Sequence, residues 1–203
     1  MMSQASDDPQ NQPSATLTHT PNGLGRLLAD PTPVHKRPPP PLEKWNPPYC
    51  GEMDIRITAQ GEWFHEGTRM TRQSLVDLFA TVLWREEDRY FLKTPVEKIG
   101  ITVEDVPLLA TQVEQVTIDG VAYLQFATKT GDVVLADAEH PLLMREFGGE
   151  LRPYIRVRRN LDALIHRNAF YHLVNLGELV ESVDGVQIRL RSGREVFELG
   201  AIA

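Results

Sequence analysis

Residues whose types and spacing could do chemistry are few, and four of them sit in one short stretch. Arg152, Tyr154, Arg156 and Arg158 occupy every second position, with Ile155 and Val157 between them. In an extended strand that spacing puts the four on one face and the aliphatics on the other. Arg189 and Arg191 show the same alternation on a later segment. Guanidinium groups gathered in this way can line a groove for a phosphate, a carboxylate or an acidic protein segment. The plainer alternative is a solvated sheet face paired with some of the 28 acidic residues, because antiparallel sheets commonly face water on one side.

Three weaker constellations stand beside it. Asp137, Glu139 and His140 bring oxygen and nitrogen ligands together ahead of Pro141, where a divalent metal would need a distant residue to complete the set; the alternative is a polar turn. Cys50 follows Pro47-Pro48-Tyr49, with Asp54 and His65 nearby in sequence, so a thiolate with a histidine base is conceivable. A lone cysteine is more often a small buried hydrophobe. Asn168 and His172 lie one turn apart within the apolar stripe of a helix read as Leu161 to Leu176, either as a satisfied core pair or as the wall of a ligand pocket.

The catalytic motifs with known mechanics are missing from the sequence. It has no phosphate loop with Gly-Lys-Ser/Thr, no Gly-x-Gly-x-x-Gly, no His-Glu-x-x-His and no Gly-x-Ser-x-Gly. No catalytic residue, metal or cofactor is therefore assigned. A formal net charge of −7 argues against general nucleic-acid binding. The single cysteine cannot form an internal disulfide, which points to a reducing compartment and so to the cytoplasm. Neither a secretory signal nor an apolar run long enough to span a membrane is found.

The elements that must position these residues follow from periodicity. Met1 to Pro41 hold nine of the fifteen prolines and read as a disordered tail, in which Gly23 to Asp30 could make one helical turn. A first unit, 42–106, opens with the alternation of Ile55 and Ile57. Leu75, Leu78, Phe79, Val82 and Leu83 predict a helix from Arg72 to Arg85, with Thr71 as its cap and Met70 as a staple. Tyr90 to Lys93 and Ile99 to Val103 are further strands. A second unit, 107–203, has hairpin signals at Asp119-Gly120, Asp184-Gly185 and Ser192-Gly193, and a helix that Asn160 is expected to cap. Crowded aromatic residues in the first unit, among them Trp45, Tyr49, Trp63 and Trp84, are expected mostly in the core. Strands cluster around single helices and do not alternate with them, so the fold class is α+β.

Four segments resemble the bacterial family of unknown function DUF1285: Trp45-Asn46-Pro47-Pro48-Tyr49-Cys50-Gly51, Thr94 to Asp105, Gly131 to Leu142 and Pro153 to Arg158. The resemblance covers Leu42 to Leu199 and implies an α+β architecture with related motifs repeated in two parts, and a role in signalling. It carries no catalytic motif. The repeat expected here matches Ser74–Phe79 with Asn160–Ile165, each in a strand, helix, strand order.

The sequence thus predicts two units, each of antiparallel or mixed strands around one main helix. The preferred reading is a non-enzymatic binding or regulatory module that takes a small anionic ligand or a protein segment on the arginine-bearing face. The alternative is a small hydrolase or metal-dependent enzyme built on His140, Asp137 and Glu139, or on Cys50 and His65. A structural adaptor that pairs strand edges into a homodimer is a third outcome.

Overall fold

The computed structural model describes residues 22–29, 39–182 and 185–202. The chain enters through helix α1 (Asn22–Ala29), then a short 3-10 turn at Leu42–Lys44. Gly23 to Asp30 is therefore not a tail in its described part. Leu24 is 2% exposed, and its backbone N–H donates to Glu97 Oε1 at 2.7 Å. A side chain at position 23 would collide with Thr94 and Glu97, so this docking uses the glycine. The rest of the proline-rich segment up to residue 38 lies outside the described residues, as does Asp184 of the predicted turn.

A meander of β1 (Tyr49–Ile57), β2 (Trp63–His65) and β3 (Thr68–Arg69) comes next. Helix α2 (Gln73–Thr81) connects it to a second meander, β4 (Leu83–Glu86), β5 (Arg89–Lys93) and β6 (Lys98–Val103). Strand β6 returns to pair with β1 in parallel, giving the order β3-β2-β1-β6-β5-β4. The helix is shorter than its periodicity predicts. Arg72, not Thr71, is its N-cap, without a side-chain cap bond, and Leu83 already belongs to β4.

The second six-stranded sheet repeats this plan. β7 (Leu108–Ile118), β8 (Val121–Thr128) and β9 (Val133–Leu135) form one meander, and β10 (Leu142–Phe147), β11 (Glu150–Arg158) and β12 (Leu161–Ile165) form another. Strand β12 returns to β7 in parallel, in the order β10-β11-β12-β7-β8-β9. Only then comes helix α3 (Arg167–Leu176), followed by a three-stranded sheet of β13 (Glu178–Ser182), β14 (Gly185–Ser192) and β15 (Glu195–Ile202). Ser192 fastens that sheet to the second one: its buried hydroxyl accepts from Leu124 N–H at 2.9 Å and donates to Ala136 O at 2.6 Å.

Strands dominate over a few short helices, so the fold is mostly β, whereas the sequence predicts an α+β packing of strands around one main helix per unit; the two large sheets are mixed, one of the two expected alternatives. The expected strand-helix-strand repeat is replaced by another. Asn160–Ile165 is turn and strand, whereas Ser74–Phe79 is helix. The segment Leu161 to Ile165 reads as helix because it is almost wholly apolar, yet it is a strand in the sheet interior with a neighbour on each side. Asn160 sits instead in the hairpin between β11 and β12, and His166 caps α3 by accepting from Asn168 N–H. A single apolar cluster runs through both large sheets, from Leu24, Leu83 and Leu92 to Ile155, Leu161 and Leu173. Among the described residues no helix is long and apolar enough to cross a membrane.

Candidate functional site

Strand β11 places the arginine row. Its register sets Arg152 opposite Arg145 of β10, Tyr154 opposite Leu164 of β12, and Arg156 opposite Asp162. The face is half-buried: its arginines keep partial exposure and pair with carboxylates, while its centre at Tyr154 is closed. Tyr154 is 1% exposed, and its hydroxyl donates to Asp105 Oδ2 at 2.8 Å. Burial and the neighbouring Asp105 both raise the phenol pKa, so Tyr154 stays neutral and donates.

Each arginine has found a carboxylate. Arg156 donates to Asp162 Oδ1, and Arg145 Nη1 lies 3.2 Å from Asp162 Oδ2 while stacking 4.2 Å over the Tyr154 ring. Arg152 stacks 4.7 Å over Phe147 and reaches Asp105 and Glu150 at 3.5 and 3.6 Å. Asp162 is almost fully buried, and an ionised carboxylate is tolerated there only with such partners. A β-bulge between Arg156 and Arg158 gives Arg158 different partners: Asp132 across the second sheet and the carbonyl of Ala80 in α2. Burial pushes the Arg158 pKa down to about 10, which leaves it charged at neutral pH. Arg158 thus ties the two units together.

Two polar atoms in this network are left over. Arg145 Nη2 and Asp162 Oδ2 are buried without a hydrogen-bond partner among the described residues. Tyr90 of β5 faces the same cluster from the first sheet. Burial raises its pKa, and Arg85, Asp162, Arg145 and Asp105 are the charges around it. Arg145 and Asp162 are the members that periodicity did not reveal. Asp162 lies in an apolar segment that reads as helix, and Arg145 lies on a strand whose pattern carries no clear alternation.

Other sequence candidates are not brought to this cluster. Arg189 pairs with Glu198 of its own sheet at 3.0 Å, and Arg191 is exposed with no ion pair among the described residues. Asn168 and His172 are exposed on α3, whose buried residues are Ala169 and Leu173. The core-pair expectation failed because the stripe was phased on Leu161 and Ile165, which belong to a strand.

The enzyme candidates also stay apart. Asp137 Oδ1 accepts from Glu139 N–H at 2.9 Å, from His140 N–H at 2.8 Å and lies 3.0 Å from His140 Nδ1, which is a closed polar turn. Burial opposes its charge, but these hydrogen bonds outweigh it and hold the Asp137 pKa below the ordinary value. No group of three His, Cys, Asp or Glu side chains among the described residues could hold a metal ion. Cys50 is exposed, contrary to the buried expectation, because it lies at the outer start of β1. His65 pairs with Ile55 of that strand, five residues from Cys50, which is roughly 17 Å in extended chain.

Residues 40–106 match the family described as domain of unknown function (DUF1285), N-terminal domain, and residues 107–199 match protein of unknown function (DUF1285), C-terminal domain. Among solved structures, the chain is similar to a DUF1285 family protein from Silicibacter pomeroyi DSS-3. The identity is 40% and the TM-score 0.76, over 88% of this chain and 94% of that one. A DUF1285 family protein from Shewanella baltica OS155 is 30% identical, over 61% of this chain and 91% of that one, with a TM-score of 0.48. No curated protein matches the chain.

Proposed function

The chain belongs to the DUF1285 family, whose matches bring no activity with them, and we propose that it is a non-enzymatic binding module taking one small anionic group against Arg145, Arg152 and Tyr154. The observation that carries this reading is the buried, unpartnered Nη2 of Arg145. A buried donor without an acceptor costs about 1–3 kcal/mol, more when charged, and an oxyanion would remove that cost. Arg152 offers further donors, since its contacts with Asp105 and Glu150 are long and a guanidinium has five N–H groups.

Arg156 and Arg158 have a supporting role in this reading. They are held by Asp162, Asp132 and Ala80 and stiffen the strand from which Arg152 projects. A regulatory role in a reducing compartment fits such a module, where the exposed Cys50 remains a thiol. Among the described residues the hydrolase reading has no converging acid, base and nucleophile to support it.

Thermal unfolding of the full chain in inorganic phosphate, sulfate and succinate tests the proposal. A ligand confined to the folded state stabilises by about 2.7 kcal/mol at a hundred times its dissociation constant. The gain is expected in the native sequence and lost in Arg145→Gln and Arg152→Gln. An equal gain in those variants, or no response to any anion, overturns the reading.

A further inference from the structure

The outer face of the first sheet carries a second, separate charge problem. Two cations of this face, and Arg159 of the β11–β12 hairpin that packs against it, have a carboxylate each. Arg89 donates to Glu52 at 2.5 Å, Lys98 to Glu86 at 2.6 Å, and Arg159 to Glu43. The fourth, Lys93, has no hydrogen bond or ion pair through its ammonium group among the described residues. Yet it is the most enclosed of the four, at 5% exposure.

Its surroundings are specific. The Lys93 ammonium lies 3.9 Å from the centre of the Trp84 ring, and the Arg159 guanidinium lies 5.9 Å from the same centre. In the ladder Lys93 is directly opposite Lys98, whose ammonium sits 5.0 Å from the Phe91 ring. Like charges facing each other across a strand pair repel. Burial pushes the Lys93 pKa below its ordinary value; Glu86 and Glu43 favour its charge, while Lys98 and Arg159 oppose it. The Trp84 ring offsets part of the desolvation, but a cation–π contact supplies no acceptor for the three N–H bonds. Among the described residues, four cations against three carboxylates leave one positive charge unmatched, and it sits on the most enclosed of the four side chains, with the ammonium group at its solvent-touching end.

We infer that Lys93 and Lys98, at the point where β5 and β6 pair, form a site beside Trp84 for one small oxyanion, a carboxylate or a phosphate. The bound group would accept from both ammonium groups, separate the two like charges and complete the balance of the face. The site uses none of the residues of the Arg145 cluster, so either can fail alone.

The test is a titration of the full chain carrying 13C-labelled lysine, read by NMR at the lysine side-chain signals. Lys93 is identified by its shift in the Trp84 ring current, and by its disappearance in Lys93→Met or, should that variant not fold, in Lys93→Arg. Inorganic phosphate and acetate are the two probes, with sodium chloride at equal ionic strength as the reference. The expected result is a saturable movement of the Lys93 and Lys98 signals with one or both probes, preserved in Arg145→Gln. Signals that stay fixed, or that move equally with chloride, overturn the site. Movement that vanishes in Arg145→Gln also overturns it, since the binding would then belong to the other cluster.

Discussion

In the first large sheet a helix, α2, joins the two meanders, whereas in the second the six-residue connection Ala136–Pro141 joins them and the helix, α3, follows both. Closing a sheet with a parallel pair requires a long crossover. In both sheets the four intervening strands supply it, with α2 among them in the first and no helix in the second, so the parallel pair β7–β12 arises without a helix between its strands. The conserved element of the plan is the strand order. The helices are covers that bury an apolar stripe where one is wanted: Val76, Phe79 and Ala80 from α2, Ala169 and Leu173 from α3. The sheets differ also in chemistry. One cross-strand row of the first is wholly aliphatic, Leu83, Leu92 and Ile99, while the row around β11 in the second is charged, with Arg156 on Asp162 and Arg145 beside it.

If the two sheets share one core, damage to either must weaken both. Leu92→Ala in the first and Ile155→Ala in the second each remove a buried side chain, at an expected cost of about 2–5 kcal/mol. Urea unfolding followed by tryptophan fluorescence and by circular dichroism is expected to give one coincident transition for each variant. Separate midpoints for the two probes would break the comparison and make the sheets independent folding units.

A smaller effect sharpens the chemical difference. Asp162→Ala strands Arg145 and Arg156 without their carboxylate. Breaking a fully buried pair costs roughly 3–5 kcal/mol. The arginine side chains are 40% and 31% exposed and can turn partly to water, so about 2 kcal/mol is expected. Asp162→Ala with Arg156→Met should recover part of the loss. A double variant no more stable than Asp162→Ala would mean that the charged row contributes packing alone.

Legibility in the sequence followed the range of the interaction. Turn chemistry is local, and Asp119-Gly120 does form its hairpin, both residues taking positive φ. The alternation of Arg152, Tyr154 and Arg156 is local too, and it holds. What the arginines touch is not local: Asp105 comes from a loop 47 residues before Arg152, and Asp132 from 26 residues before Arg158. Spacing therefore placed the row on one face but left open whether that face met water or a partner. The strand β12 was hidden because a segment buried within a sheet is apolar without period. Misreading it moved the helix start and carried Asn168 and His172 from the surface to the core.

The smallest expected effect concerns acid and the outer face of the first sheet. The hydrogen bond from Lys98 is the largest influence on Glu86, ahead of the opposing burial, and the net result is a pKa below the ordinary 4.5. A carboxylate whose folded pKa lies below its unfolded one contributes stability that is complete above 4.5 and is lost as pH falls through the folded value. Glu86→Gln removes that contribution at every pH. At 42% exposure the pair is worth only a few tenths of a kcal/mol. The native sequence should therefore exceed the variant slightly in urea midpoint at pH 7, with the gap closing by pH 3. A gap of the same size at both values would show that Lys98 does not hold Glu86 in its charged form. Lys98 would then be free to share an oxyanion with Lys93 without first giving up a partner, so this modest measurement also gauges what the proposed site must overcome.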